Sequence, residues 1–135
     1  MGSILAQKRN KNGTRKDFIS WFEIPAIDFQ QAVNFYSYIF DIEMEQVINE
    51  DSATAYFPVT TGIGGAITSG YSNETSSSGP LLYLNGGEDL NNVLNKVEEA
   101  GGRIIMSKTL ISKNAGYFAV FVDSQGNKLA LYSKK

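Results

Sequence analysis

From Ile19 to Ala26 the chain alternates, placing Phe22, Ile24 and Ala26 on one face of a predicted strand and Trp21 and Glu23 on the other. Pro25 belongs at the end of that strand, where a missing N–H is tolerated. The period then changes. Asp28 reads as a helix N-cap with Gln31 three positions on, and Phe29, Ala32, Val33, Tyr36 and Phe40 trace one apolar stripe. Three shorter strand patterns follow, near Glu43 to Asn49, Thr54 to Val59 and Gly64 to Ser69. The Gly-, Ser- and Asn-rich run 70–79 favours turns over regular structure.

The same order then returns. A strand near Leu81 to Asn85 precedes a helix from Asp89 carrying Leu90, Val93, Leu94 and Val97, which Gly101-Gly102 stops. Strands near Arg103 to Ser107, Gly116 to Val122 and Asn127 to Tyr132 complete it. DFQQAVNFY from Asp28 aligns with DLNNVLNKV from Asp89 at an offset of 61 residues, and Tyr56-Phe57 aligns with Tyr117-Phe118 at the same offset. The pattern is a duplicated module of one strand, one helix and three strands. At 135 residues and 42% hydrophobic, two modules of marginal size must share a core. The expected organisation is an arm over 1–18 and a single domain over 19–135, with modules 19–70 and 80–135 joined by the loop 70–79.

Composition narrows the chemistry. The chain has no Cys and no His, which removes the thiol nucleophile, the commonest general base and the usual zinc ligands together. Five basic residues, Lys8, Arg9, Lys11, Arg15 and Lys16, fall in a first stretch of sixteen that holds no acid, while from Asp17 onward the count is 7 basic against 14 acidic. A body of net charge -7 disfavours a nucleic-acid groove, and the basic arm reads as a solvated terminus. Ser3 to Ala6 is too short for a signal-peptide core, and no apolar run approaches a membrane span, a pattern expected of a cytoplasmic protein. Gly62-Ile63-Gly64-Gly65 lacks the Gly-Lys-Ser/Thr ending of a phosphate loop and reads as a turn with close packing.

WFEIPAIDFQQAVNFY, GGAI, EEAGGRI and YFAVFVDSQGNKLALYS together resemble the vicinal-oxygen-chelate superfamily of glyoxalases, extradiol dioxygenases and bleomycin-resistance proteins, over about Ile19 to Ser133. The most specific element is Asp123-Ser124-Gln125-Gly126-Asn127, which resembles the family's D-P-x-G-N turn with Ser124 in place of proline. The resemblance implies an α+β fold in which two βαβββ modules form a curved, cup-like mixed β-sheet with helices on the outside, commonly completed by a homodimer. It also implies four symmetric strand positions that hold a divalent ion in the metal-dependent members. Carried onto this sequence they are Trp21, Thr68, Leu82 and Ala130, the middle two uncertain by one residue. None is a usual ligand, so no metal and no other cofactor is expected.

The cup face of the first strand carries Glu23 beside Trp21. Desolvated next to an indole, a carboxylate becomes a stronger base, and it can equally bind a cationic or donor-bearing ligand. It can also be purely structural. Trp21 and Tyr132 offer flat surfaces to an aromatic ligand, or simply fill the cup. Three functional readings follow in order: a metal-free protein binding a small, possibly aromatic molecule through Trp21, Glu23, Thr68, Leu82, Ala130 and Tyr132; an enzyme of lyase, isomerase or dioxygenase type using Glu23 as base without a metal; and a non-catalytic scaffold with a filled cup. Each fits one fold, since this architecture hosts many functions.

Overall fold

The computed structural model describes residues 13–70 and 74–135, so Lys8, Arg9 and Lys11 of the basic arm and part of the 70–79 loop lie outside the described residues. The first module runs β1 (Trp21–Pro25), α1 (Phe29–Phe40), β2 (Glu45–Ile48), β3 (Ala53–Tyr56) and β4 (Gly64–Ser69). The second runs β5 (Tyr83–Asn85), α2 (Asn91–Leu94), β6 (Arg103–Ser112), β7 (Gly116–Val122) and β8 (Lys128–Ser133). Each module forms its own four-stranded mixed sheet, in the orders β1-β4-β3-β2 and β5-β8-β7-β6. In both, the first strand pairs parallel with the last and the rest are antiparallel, so the repeat is topological as well as sequential.

α1 starts where its cap chemistry dictates. Asp28 takes an extended conformation and accepts a hydrogen bond from the Gln31 N–H at 3.1 Å. At the other end Asp41 turns left-handed (φ 54°), and the Ile42 N–H closes onto the Ser37 carbonyl. α2 is shorter than its apolar stripe predicts. Leu90 offers no side-chain cap, and i to i+3 bonds at Asn92, Val93, Lys96 and Val97 flank a single α-helical turn. Asn91, Asn92 and Asn95 are weak helix formers, which leaves packing of Leu90, Val93, Leu94 and Val97 to hold the segment. β6 runs longer than predicted, through three register shifts, to the hairpin before Gly116.

One core serves both modules. Phe35 on α1 stacks with Phe121 on β7 at 6.2 Å, and Ile24, Ile67, Leu84, Leu129 and Leu131 belong to the same cluster. Each sheet thus spends one face on the shared core, where the helices also lie, and keeps its other face open. The sheets are not hydrogen-bonded to each other among the described residues, so the expected single cup is not closed within this chain.

Candidate functional site

On the first sheet, alternation puts Trp21 and Glu23 of β1 on the open face. There Trp21 stands opposite Gly64, and Glu23 opposite Ala66, which itself faces Tyr56 of β3. The indole lies over Gly64, where an added Cβ would sit 3.0 Å from Cζ3, so the glycine is what lets the ring lie down on the sheet. Gly65 does the same on the core side for Phe22, whose ring a Cβ would meet at 2.3 Å. Trp21 tilts against Tyr56 with centroids 6.1 Å apart, and its indole N–H donates to the Glu23 carboxylate at 3.2 Å. Trp21 is 46% exposed, Tyr56 38%, and Glu23 is exposed as well. Thr68 lies further along β4, opposite Pro25, and is buried.

The second sheet repeats this theme one residue out of step. Tyr83 of β5 stands opposite Ala130 of β8, and its ring tilts against Phe118 at 6.3 Å. Each open face therefore pairs two aromatic rings beside a small residue on the last strand. Leu82, expected on this face, lies on the core side instead and packs against the shared cluster; Tyr83 takes the face position. The cause is local. Trp21 precedes Asp28 by seven residues and Tyr83 precedes Asp89 by six, so the 61-residue offset that aligns the helices becomes 62 on the strands. A one-residue slip exchanges the faces of a strand. By the same slip Tyr56 matches Phe118 rather than Tyr117; separately, the residue opposite the first-strand aromatic in the first module is Gly64, four residues before Thr68, which stands opposite Pro25.

Trp21 and Glu23 are thus brought together, joined by Tyr56. The repeat had signalled that tyrosine without assigning it a role. Ala130 and Tyr132 sit on the other sheet. Tyr132 is half-buried, its hydroxyl donating to the Ala115 carbonyl at 2.6 Å, and it borders a groove of about 430 Å³ that Trp21 and Glu23 do not line. Lys108 is engaged by Asp89 at 2.9 Å and lies over the Tyr117 ring at 4.6 Å. Asp89, which also accepts from the Asn91 N–H, is held below the usual carboxylate range, first by that backbone bond and then by Lys108.

The most specific sequence motif turns out to do mechanical work. Asp123 is 3% exposed, and one of its carboxylate oxygens accepts from the Gln125 and Asn127 N–H groups at 2.8 and 2.9 Å. The other accepts from the Tyr36 hydroxyl at 2.6 Å and the Asn127 amide at 3.1 Å. Asn127 also donates to the Pro25 carbonyl, and Gln125 accepts from the Ile27 and Asp28 N–H groups while donating to Gln31. Gln125 thereby supplies the reciprocal bond of a capping box to α1 from the other module. Burial first, then the negative charge of Asp123, drives the Tyr36 hydroxyl well above the usual tyrosine range.

The donor set does not suit a metal. The paired face positions are Trp21 with Gly64 and Tyr83 with Ala130, none of them a carboxylate or imidazole, and no group of three acidic residues converges among the described residues. No helix among them is long and apolar enough to cross a membrane.

This fold recurs in known proteins. The profile of the Glyoxalase/Bleomycin resistance protein/Dioxygenase superfamily matches residues 18–131, and the chain belongs to that family. Among solved structures it resembles a glyoxalase/bleomycin resistance protein from Albidiferax ferrireducens T118, at 16% identity over 88% of this chain and 100% of that one, with a TM-score of 0.66. It also resembles TnmS3, an antibiotic binding protein from Streptomyces sp. CB03234, at 16% identity over 90% and 99% of the two chains, with a TM-score of 0.65. Glyoxalase I from Zea mays aligns at 15% identity and a TM-score of 0.64 over 87% of this chain, which spans 44% of the maize chain. No curated protein sequence matches.

Proposed function

We propose that this chain is a metal-free small-molecule-binding protein that works as a homodimer, the open face of one copy's first sheet meeting an open face of the other. The observation that carries the reading is the pairing of exposed aromatic rings with an oriented carboxylate on a face with no metal ligand. The indole N–H occupies one Glu23 oxygen, which leaves the other free to accept from a cationic or donor-bearing aromatic ligand lying on Trp21 and Tyr56. A second copy is favoured because Trp21, Val47, Tyr56, Tyr83 and Met106 all present apolar surface away from the core. The two sheets share no strand pairing among the described residues, and a second copy would cover the face that each leaves open. The likeness to an antibiotic binding protein supports binding over catalysis by analogy alone.

Trp21 is the chain's single tryptophan, so its fluorescence reports directly on this face. Sedimentation and emission spectra across micromolar concentrations should show a dimer forming as the emission maximum shifts to the blue. Aromatic amines such as phenethylamine should quench that emission, and Glu23→Gln should weaken the quenching severalfold while leaving the melting temperature unchanged. A persistent monomer, or a Glu23→Gln variant that quenches like the wild type, would sink the reading.

A further inference from the structure

A second cavity lies away from the face just described. It opens between the modules, with a volume of about 760 Å³, a size typical of small-molecule sites. Phe22, Phe40 and Phe57 form one wall, Phe57 lying 5.5 Å from Phe22 and 6.4 Å from Phe40. The other wall is β5 with Gly86 and Gly87, backed by Val93. No residue lining it carries a charge.

The β5 wall is polar in one direction only. The Leu82 carbonyl accepts from Ala130 and the Gly86 N–H donates to Tyr132, so the even-numbered residues spend their main-chain groups on β8. Neighbouring strand residues point theirs the opposite way, and β5 is the edge of its sheet, so the N–H and C=O groups of Tyr83 and Asn85 face outward. The Asn85 side-chain oxygen accepts from the Gly87 N–H at 2.8 Å, which fixes the amide and leaves its NH₂ to donate elsewhere.

We infer that this inter-module cleft is a separate binding site for a neutral, flat aromatic molecule bearing an amide-like donor and acceptor. The ring system stacks against the phenylalanine wall, while the amide pairs with the free edge of β5 as an added strand would. An anionic ligand finds no cation in the lining and forfeits its solvation, so charge sets the selectivity. The inference does not depend on the function proposed for the Trp21 face.

The test uses three probes with one ring system: naphthalene-1-carboxamide, naphthalene and naphthalene-1-sulfonate. Titrations followed by backbone amide shifts should show the carboxamide perturbing Phe57, Leu84 and Asn85 and binding at least ~10-fold tighter than the sulfonate. It should also bind several times tighter than naphthalene. Ile63→Trp fills the mouth of the cleft from a half-exposed loop position and should abolish binding with the melting temperature kept. Trp21→Ala and Glu23→Gln should leave carboxamide affinity unchanged, which separates this site from the open-face site. The proposal is overturned if the sulfonate binds equally well, if the shifts map only to Trp21 and Tyr56 and spare Phe57, Leu84 and Asn85, or if Ile63→Trp binds normally. It is also overturned if carboxamide affinity falls as protein concentration rises, since that would make a second copy the occupant of the cleft.

Discussion

Replacing Tyr36 by phenylalanine isolates one bond of the inter-module clasp. The side chain is fully buried, and its ring contacts with Phe35, Phe40 and Phe57 at 4.9, 6.5 and 5.6 Å do not involve the hydroxyl. Tyr36→Phe therefore keeps the packing and removes a 2.6 Å bond to a buried carboxylate, one of the four that Asp123 accepts. A bond to a charged acceptor is worth about 1.5–3 kcal/mol, and burial at this position should place the loss in the upper half of that range. For a chain of this length that corresponds to a melting temperature lower by roughly 5–10 °C. Urea and thermal melts at one fixed protein concentration measure it, and a double-mutant cycle with Asp123→Asn assigns the loss to this pair. A loss below about 0.5 kcal/mol, or a coupling energy near zero, would mean that the clasp is held by its backbone bonds and that the phenol is incidental.

Three further outcomes are expected. Because the folded-state pKa of Tyr36 is raised, the stability it contributes is fully present below about pH 10 and falls as pH rises beyond that; urea midpoints between pH 8 and 11 should drop more steeply for wild type than for Tyr36→Phe. Gly65→Ala sets a Cβ against the Phe22 ring and should cost about 1–3 kcal/mol, with Phe22→Leu restoring part of the loss in the double mutant. Elemental analysis of the dialysed protein should find far less than one divalent ion per chain, and chelators should leave its melting temperature unchanged.

The strand-helix-three-strand order, the Asp28 cap and the inward Phe22, Ile24 and Ala26 are local patterns, and all were readable from residue spacing. So was the pairing of Trp21 with Glu23, which needs only alternation along one strand. What escaped was the join between local patterns. The helix alignment was carried onto the strands, and the shorter connection before Asp89 turned Leu82 inward and Tyr83 outward. Asn91, Asn92 and Asn95 cut α2 short although its apolar stripe was correct. The Asp123 motif was conspicuous, but its partners in the first module lie 87 to 102 residues away, beyond any periodicity.

The clasp also sets an order on biosynthesis. The β1–α1 junction leaves the ribosome before the second module, yet the Ile27 and Asp28 N–H groups and the Pro25 carbonyl find their partners in Gln125 and Asn127, 97 to 102 residues further along the chain. A nascent first module must therefore wait, its helix entrance incompletely capped and the core face of its sheet uncovered, until the β7–β8 hairpin clears the exit tunnel. Interactions this distant in sequence make folding slow to commit. The duplicated halves are thus alike in outline but unequal in time: the earlier half is finished by a turn of the later one.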